Sequence, residues 1–304
     1  MYRYRAFNLN FSSEVFLSEC TAGTGEQDDF VIIQKKLTPP PLETTNLFRK
    51  GIVAQSIVDA DGSLWLHWNG VATFHAVNGA TLEVDVLTDV PDVLSLFTVS
   101  EAIGLILFQK GDFLLHASAV EIAGSGWIFI GNPGAGKSTT CAAFVTAGCP
   151  LLSDDLTAIR FDARGVPFII PAYPQIKIWE SSARGLGYQT DTLTPVTEGT
   201  NKFSLQPRKN FPVSPVPLER FIFISPSEQE SGPFKPGNLP TELIRHFPLP
   251  NQLLNPENLK TFFKQSILCA KRIPGNKIPR PDGFEALNQW VTECLARKPL
   301  PLPQ

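Results

Sequence analysis

No run of like charge stands out in the 304 residues, and 26 Lys and Arg nearly balance 29 Asp and Glu, for a formal charge of -3. A nucleic-acid or membrane-surface role therefore lacks electrostatic support. Lys271-Arg272, Lys277 and Arg280 make only a minor basic cluster, expected on a solvated face. Behind Met1-Tyr2-Arg3-Tyr4-Arg5 no apolar signal core follows, and no apolar run is read as approaching a membrane span. The five cysteines (Cys20, Cys141, Cys149, Cys269, Cys294) are odd in number and lack metal-ligand spacing. That argues against a disulfide scaffold and fits a reducing compartment. There is no internal repeat. The expectation is a soluble cytoplasmic chain with no nucleic-acid or membrane partner, of a length that suits about two domains.

What is present centres on Gly131-Asn132-Pro133-Gly134-Ala135-Gly136-Lys137-Ser138, a full match to G-x-x-x-x-G-K-[ST]. Glycines let the backbone curl around a polyphosphate with its N–H groups pointing inward. In that pattern Lys137 reaches the outer phosphates and the Ser138 hydroxyl sits on Mg²⁺. Trp127-Ile128-Phe129-Ile130 predicts a buried strand feeding the loop. Thr139 to Ala147 predicts a short helix stopped by Gly148. Strand, glycine loop and helix together set a helix N-terminus under the phosphates, so residues 131–139 are the expected ATP-binding segment.

Upstream, residues 1–90 read as a β-rich domain, with 91–304 as the nucleotide-binding domain. Strands are expected at Phe30–Ile33, Leu64–Trp68, Val71–Val77 and Thr81–Val86, the last three joined by Asn69-Gly70 and Asn78-Gly79. Such Asn-Gly pairs signal hairpins. His67 and His75 lack a third ligand and are read as structural. Pro91 to about Lys110 is an apolar helical region expected to pack the domains together. Phe113 to Ile122 reads as one strand, joined by the four residues 123–126 to the strand before the loop, so the two pair antiparallel.

Downstream, Pro150-Leu151-Leu152-Ser153-Asp154-Asp155 is a short strand ending in paired acids, 17 residues after Lys137. A right-handed crossover makes it parallel to the loop-bearing strand, with both acids beside the loop. Asp155 to Phe161 reads as a continuation, then Val166–Ile170. Residues 189–256 are proline-rich and helix-poor, with one clear strand at Leu218–Ile224. Asn255-Pro256 starts a helix reaching about Ala270. Asp282 starts another, with Phe284, Leu287, Val291 and Leu295 as its buried stripe. Leu300 to Gln304 is a proline-rich tail.

Phosphoryl transfer needs a metal, a cation on the moving group and a residue that orients or deprotonates the acceptor. Ser138 and Asp155 can hold the metal, Lys137 is the cation, and Asp154 can take the proton. The residues alone leave open which acid takes which role.

His116, 21 residues before Lys137, together with the hairpin, Gly136-Lys137-Ser138 and Leu151-Leu152-Ser153-Asp154-Asp155, resembles the bacterial HPr kinase/phosphorylase family. The resemblance implies an α/β fold with a mixed sheet, of the HPr kinase/phosphoenolpyruvate carboxykinase type, behind an N-terminal β-rich domain. It also implies ATP and Mg²⁺, Asp154 as general base, Asp155 and Ser138 at the metal, and His116 near the transferred phosphate. The family's Glu-x-Arg-Gly-x-Gly signature is not reproduced; Glu180 to Gly187 keeps only Arg-Gly-Leu-Gly. The chain is more similar to divergent HPr-kinase-like proteins encoded beside ribosomal-peptide maturation enzymes. The expected activity is phosphorylation of a Ser or Thr hydroxyl on a protein or peptide, such as a ribosomal precursor peptide. A non-catalytic ATP-binding module and a small-molecule or carboxykinase-like enzyme are the alternatives. Family members form hexamers, which makes a homo-oligomer an expectation from resemblance alone.

Overall fold

The computed structural model describes residues 1–23, 25, 27–196, 201–225, 231–235 and 237–296. The proline-rich tail, Pro226 and Pro236 lie outside the described residues. The chain forms two compact units, Met1–Leu114 with Phe247–Lys264 and Leu115–His246 with Gln265–Gln304. The expected boundary at residue 90 falls inside the first unit.

In the first unit, β1 (Tyr2–Ala6), β2 (Leu9–Ser13), β3 (Thr21–Ala22), β4 (Phe30–Gln34), β5 (Glu43–Arg49), β6 (Ile52–Val58), β7 (Leu64–Trp68), β8 (Ala72–Val77) and β9 (Thr81–Val86) make one sheet in the order β3-β1-β2-β4-β9-β8-β7-β6-β5. The β7–β8–β9 meander is antiparallel, and Asn78-Gly79 turns with both φ positive (52° and 64°). Period-2 alternation decides its faces. Leu66, Phe74 and Val84 share one rung and are fully buried. The neighbouring rung is polar: Trp65 stacks on His75 at 3.9 Å, and His75 Nδ1 lies 3.0 Å from Glu83 Oε2. His67 Nδ1 meets Thr73 Oγ1 at 2.9 Å, so both histidines serve the sheet.

A continuous helical segment follows: α1 (Pro91–Phe97), a π-helical turn (Thr98–Ala102) and α2 (Ile103–Gln109). Pro91–Gln109 is long and apolar enough to cross a membrane by length and composition, which corrects the reading that no apolar run reaches that length. Of its most apolar window, 72% is buried inside the protein, as in a core helix.

The elements that follow are β10 (Phe113–Leu115), β11 (Ala117–Ile122), β12 (Ser125–Ile130), α3 (Lys137–Thr146), β13 (Leu151–Ser153), β14 (Thr157–Phe161), β15 (Pro167–Ile170), β16 (Ile176–Trp179), α4 (Glu180–Gly185), β17 (Thr194–Pro195), β18 (Lys202–Leu205), β19 (Val216–Ser225), β20 (Gly232–Pro233), α5 (Asn238–Arg245), α6 (Pro256–Arg272), β21 (Gly275–Pro279) and α7 (Gly283–Ala296). The second unit is a mixed α/β structure. Its sheet runs β14-β15-β19-β12-β11-β13, with β21 also on β19. β12, β19 and β21 are mutually parallel, while β11 is antiparallel to both β12 and β13. Thus β13 runs in the direction of β12 with β11 between them. β16, β18 and β17 form a separate small sheet.

Several local expectations are corrected. The β11–β12 connection is two residues, Ala123-Gly124 (φ 50° and 83°), and the upstream strand breaks at His116. The strand expected from Asp155 onward is also broken, because Asp155 is left-handed (φ 67°). The stretch expected to be helix-poor holds α5. On α7 the buried stripe is Leu287, Val291 and Cys294, with Leu295 38% exposed, because a 3.6-residue repeat reaches 294 before 295. Asn255 does cap α6, its Oδ1 accepting from Asn258 N at 3.0 Å.

Candidate functional site

All six residues of β12 are buried, between β11 and β19. Phe129 stacks on Phe144 of α3 at 5.3 Å, and Trp290 of α7 meets Phe144 edge-on at 5.5 Å. Burying such rings contributes about 1.5–3 kcal/mol each and fixes the angle at which the chain leaves the sheet for α3. The loop between must be tight. A Cβ on Gly131 would lie 2.9 Å from both Ala135 Cβ and Ile224 O, so only glycine fits. Gly134 and Gly136 turn with φ 82° and 102°, open to glycine at little cost. Gly148 (φ 96°) ends α3, with Gly148 N donating to Val145 O and Cys149 N to Phe144 O.

Lys137 is 7% exposed and folds back, Nζ donating to Gly131 O at 2.9 Å and Asn132 O at 3.4 Å. Burial lowers its pKa, against the pull of Asp155 and Asp154. Ser138 Oγ donates to Asp154 Oδ1 at 2.8 Å. Thr139 Oγ1 meets Ser182 Oγ of α4 at 2.8 Å.

Because β11 is antiparallel to its two neighbours, its first residues lie beside the end of β12 and the end of β13. That brings Asp154 to the loop. Its carboxylate is buried and accepts three hydrogen bonds: Ser118 Oγ (2.6 Å) and Ser138 Oγ at Oδ1, and Lys177 N (2.9 Å) at Oδ2. Burial, then the charge of Asp155, pushes its pKa up, while the bonds from Ser118 and Lys177 N hold it down. Asp155 turns away from its neighbour through its left-handed backbone and takes Lys177 Nζ at 3.1 Å. The Lys177 side chain is only 3% exposed.

His116 bridges the turn behind the acids. Its Nδ1 lies 3.1 Å from Asp155 O and its N–H donates to His246 O at 2.7 Å. Burial lowers the pKa of His246, and the positive charge of Lys137 adds to that. Lys202 is close enough for its charge to act on Lys137 and Asp154.

The structure therefore brings residues 131–139, His116, Asp154 and Asp155 into one locality. It does not pair Ser138 with Asp155, the expected metal partners; the hydroxyl goes to Asp154. Glu180 and Arg184, from the incomplete signature, form a surface i,i+4 pair on α4. Ser118, Lys177, Lys202 and His246 were not singled out from sequence. Ser118 carried a signal, as a polar residue inside the apolar strand 117–120, whereas Lys177 carried none. Among the described residues no group of three or more His, Cys, Asp or Glu could hold a metal ion by itself.

No family model and no curated protein matches the chain. Among solved structures, the HPr(Ser) kinase/phosphatase from Coxiella burnetii is similar at 15% identity, over 60% of this chain and 92% of that one, with a TM-score of 0.30. This is a distant structural likeness, and at that distance it says nothing of activity.

Proposed function

We propose that the second unit is an ATP- and Mg²⁺-dependent kinase that transfers a phosphoryl group to a Ser or Thr hydroxyl of a protein or peptide. The observation that carries this reading is the meeting of Ser138, on the first turn of α3, with Asp154, at the end of β13, at 2.8 Å beside the buried Lys137. The donor set fits a metal-bound triphosphate. Lys137 rests on loop carbonyls that phosphate oxygens can replace, and the hydroxyl–carboxylate pair gives hard oxygen ligands to Mg²⁺. Among the described residues no three-residue cluster could hold the ion by itself, and phosphate oxygens and water would complete the shell, as is usual for Mg²⁺. When bound, the metal neutralises charge on the phosphates.

The hydrogen bonds favour an exchange of the expected roles. Asp154, buried with both oxygens engaged, suits the metal side with Ser138. Asp155 has the more exposed side chain, 16%, and is the better placed to take the proton of an acceptor hydroxyl. Lys177, 3.1 Å from Asp155 Oδ2, then holds that carboxylate apart from Asp154. Ser118 fixes the rotamer of Asp154, and His116 supports the backbone turn that separates the acids.

Incubating the full chain with γ-labelled ATP and cell extract tests the reaction: label on a polypeptide is expected. Label on a small metabolite would assign a different acceptor class, and ATP binding without transfer would reduce the protein to a binding module. The roles separate by variant. Asp154→Asn should weaken Mg²⁺-dependent ATP binding. Asp155→Asn should spare it and lower turnover about 10²–10⁴-fold. The reverse outcome would restore Asp154 as the base.

A further inference from the structure

We infer that Arg280 is a second phosphate-binding cation of the glycine loop, delivered from the C-terminal part of the chain. This rests on the ATP-binding reading above. β12, β19 and β21 are adjacent and parallel, so the loop after β12 and the residue after β21 leave the sheet on the same side, where ligands of such sheets bind. Arg280 follows β21 directly, and its N–H donates to Ser225 O at the end of β19 at 2.8 Å, which anchors its backbone. Its guanidinium then lies against the loop. Nε and Cζ are 3.4 and 3.7 Å from where a Cβ on Gly136 would stand. These are ordinary van der Waals distances, so the arginine packs directly on the loop at Gly136, whose left-handed turn (φ 102°) is what calls for glycine. A small pocket beside it is lined by Gly136, Thr139, Thr140, Arg280, Pro281 and Phe284, among others.

Arg280 is exposed, and among the described residues no carboxylate pairs with its guanidinium. A planar fork of donors held at a glycine-rich loop is suited to two oxygens of one phosphate, which Lys cannot reproduce. Lys137 reaches the polyphosphate from inside the loop and Arg280 from outside it. The basic cluster read from sequence as a solvated face thus divides. Arg272 is tied to the carbonyls of Arg164 and Gly165, while Arg280 faces the loop.

Calorimetry on the full chain with MgATP and with inorganic tripolyphosphate tests this. Arg280→Ala should weaken both ligands about tenfold or more, the effect of losing a charge-assisted contact. Arg280→Lys should recover only part of it, and the unliganded melting temperature should not move. Binding by Arg280→Ala within twofold of the parent, with Lys137→Ala impaired, would overturn the inference and leave the ATP reading intact. Loss of ATP affinity with tripolyphosphate affinity retained would overturn the phosphate assignment. A parent chain that binds neither ligand would overturn both readings.

Discussion

Lys177 offers the sharpest test of how the paired acids are held. Its ammonium is 3.1 Å from Asp155 Oδ2, with side-chain exposures of 3% and 16%, so the pair is largely removed from water. Lys177→Met keeps the apolar stem and volume and removes the charge. Breaking a buried pair by deleting one partner costs about 3–5 kcal/mol, and the partial exposure of Asp155 places the expectation near 3 kcal/mol. The backbone N–H of Lys177 still donates to Asp154, so the change isolates the ammonium. Asp155→Asn in the same chain removes the charge left behind, and the double variant should lie within about 1 kcal/mol of the parent, recovering about 2 kcal/mol of the loss. Urea unfolding followed by tryptophan fluorescence, fitted with one transition for each unit, measures both numbers. A cost below about 0.5 kcal/mol, or no relief from Asp155→Asn, would refute the claim that this cation separates the acids.

Other outcomes follow from the same geometry. Lys137→Met should abolish transfer and weaken ATP binding, measured by labelled-phosphate release and calorimetry. Asp154 has its pKa raised in the fold, so its contribution to stability is complete at low pH and is lost as pH rises through that pKa. Asp154→Asn should therefore gain stability relative to the parent as pH rises from 4 to 7; the opposite slope in melting temperature would mean a depressed carboxyl. Ser118→Ala removes a 2.6 Å bond to a buried carboxylate and should cost about 1.5–3 kcal/mol in urea titration, with a further rise in the Asp154 pKa by NMR. Gly185→Ala would set a methyl 2.1 Å from the Phe284 ring and should cost about 1–3 kcal/mol by overpacking, seen as a lowered melting temperature.

The features legible in the sequence were those whose physics is local. Asn78-Gly79 announces its hairpin because both residues tolerate positive φ, and Gly131 to Ser138 encodes a turn that only glycines can make. The hairpin between β1 and β2 was not legible. Phe7 and Asn8 carry its turn at φ 53° and 54°, and a phenylalanine gives no sign of a left-handed backbone. Phe7 is fully buried, so tertiary packing overrides the local preference. The same holds for β16 to β18, whose pairing joins Ile176–Trp179 to Lys202–Leu205 across a stretch that includes α4. At the site, the acids and the loop could be placed from spacing through one crossover. Which acid receives Ser138 depends on the left-handed Asp155, a conformation that non-glycine sequence does not advertise. Lys177 comes to Asp155 from β16 in the separate small sheet, 22 residues on, and Arg280 comes to the loop from the end of β21; no local pattern in the sequence marks either approach.

All five cysteines are buried and none is in a disulfide. Burial pushes the thiols of Cys141 and Cys269 up and that of Cys149 up to about 11. Only the thiolate reacts with an alkylating reagent, so each sulfur stays inert until its surroundings part. Iodoacetamide in native buffer therefore works as a clock for breathing motions, with Cys20 timing the first unit and the other four the second. Cys141 sits one helical turn beyond Lys137, and a nucleotide gripping the N-terminus of α3 should slow that hand of the clock most.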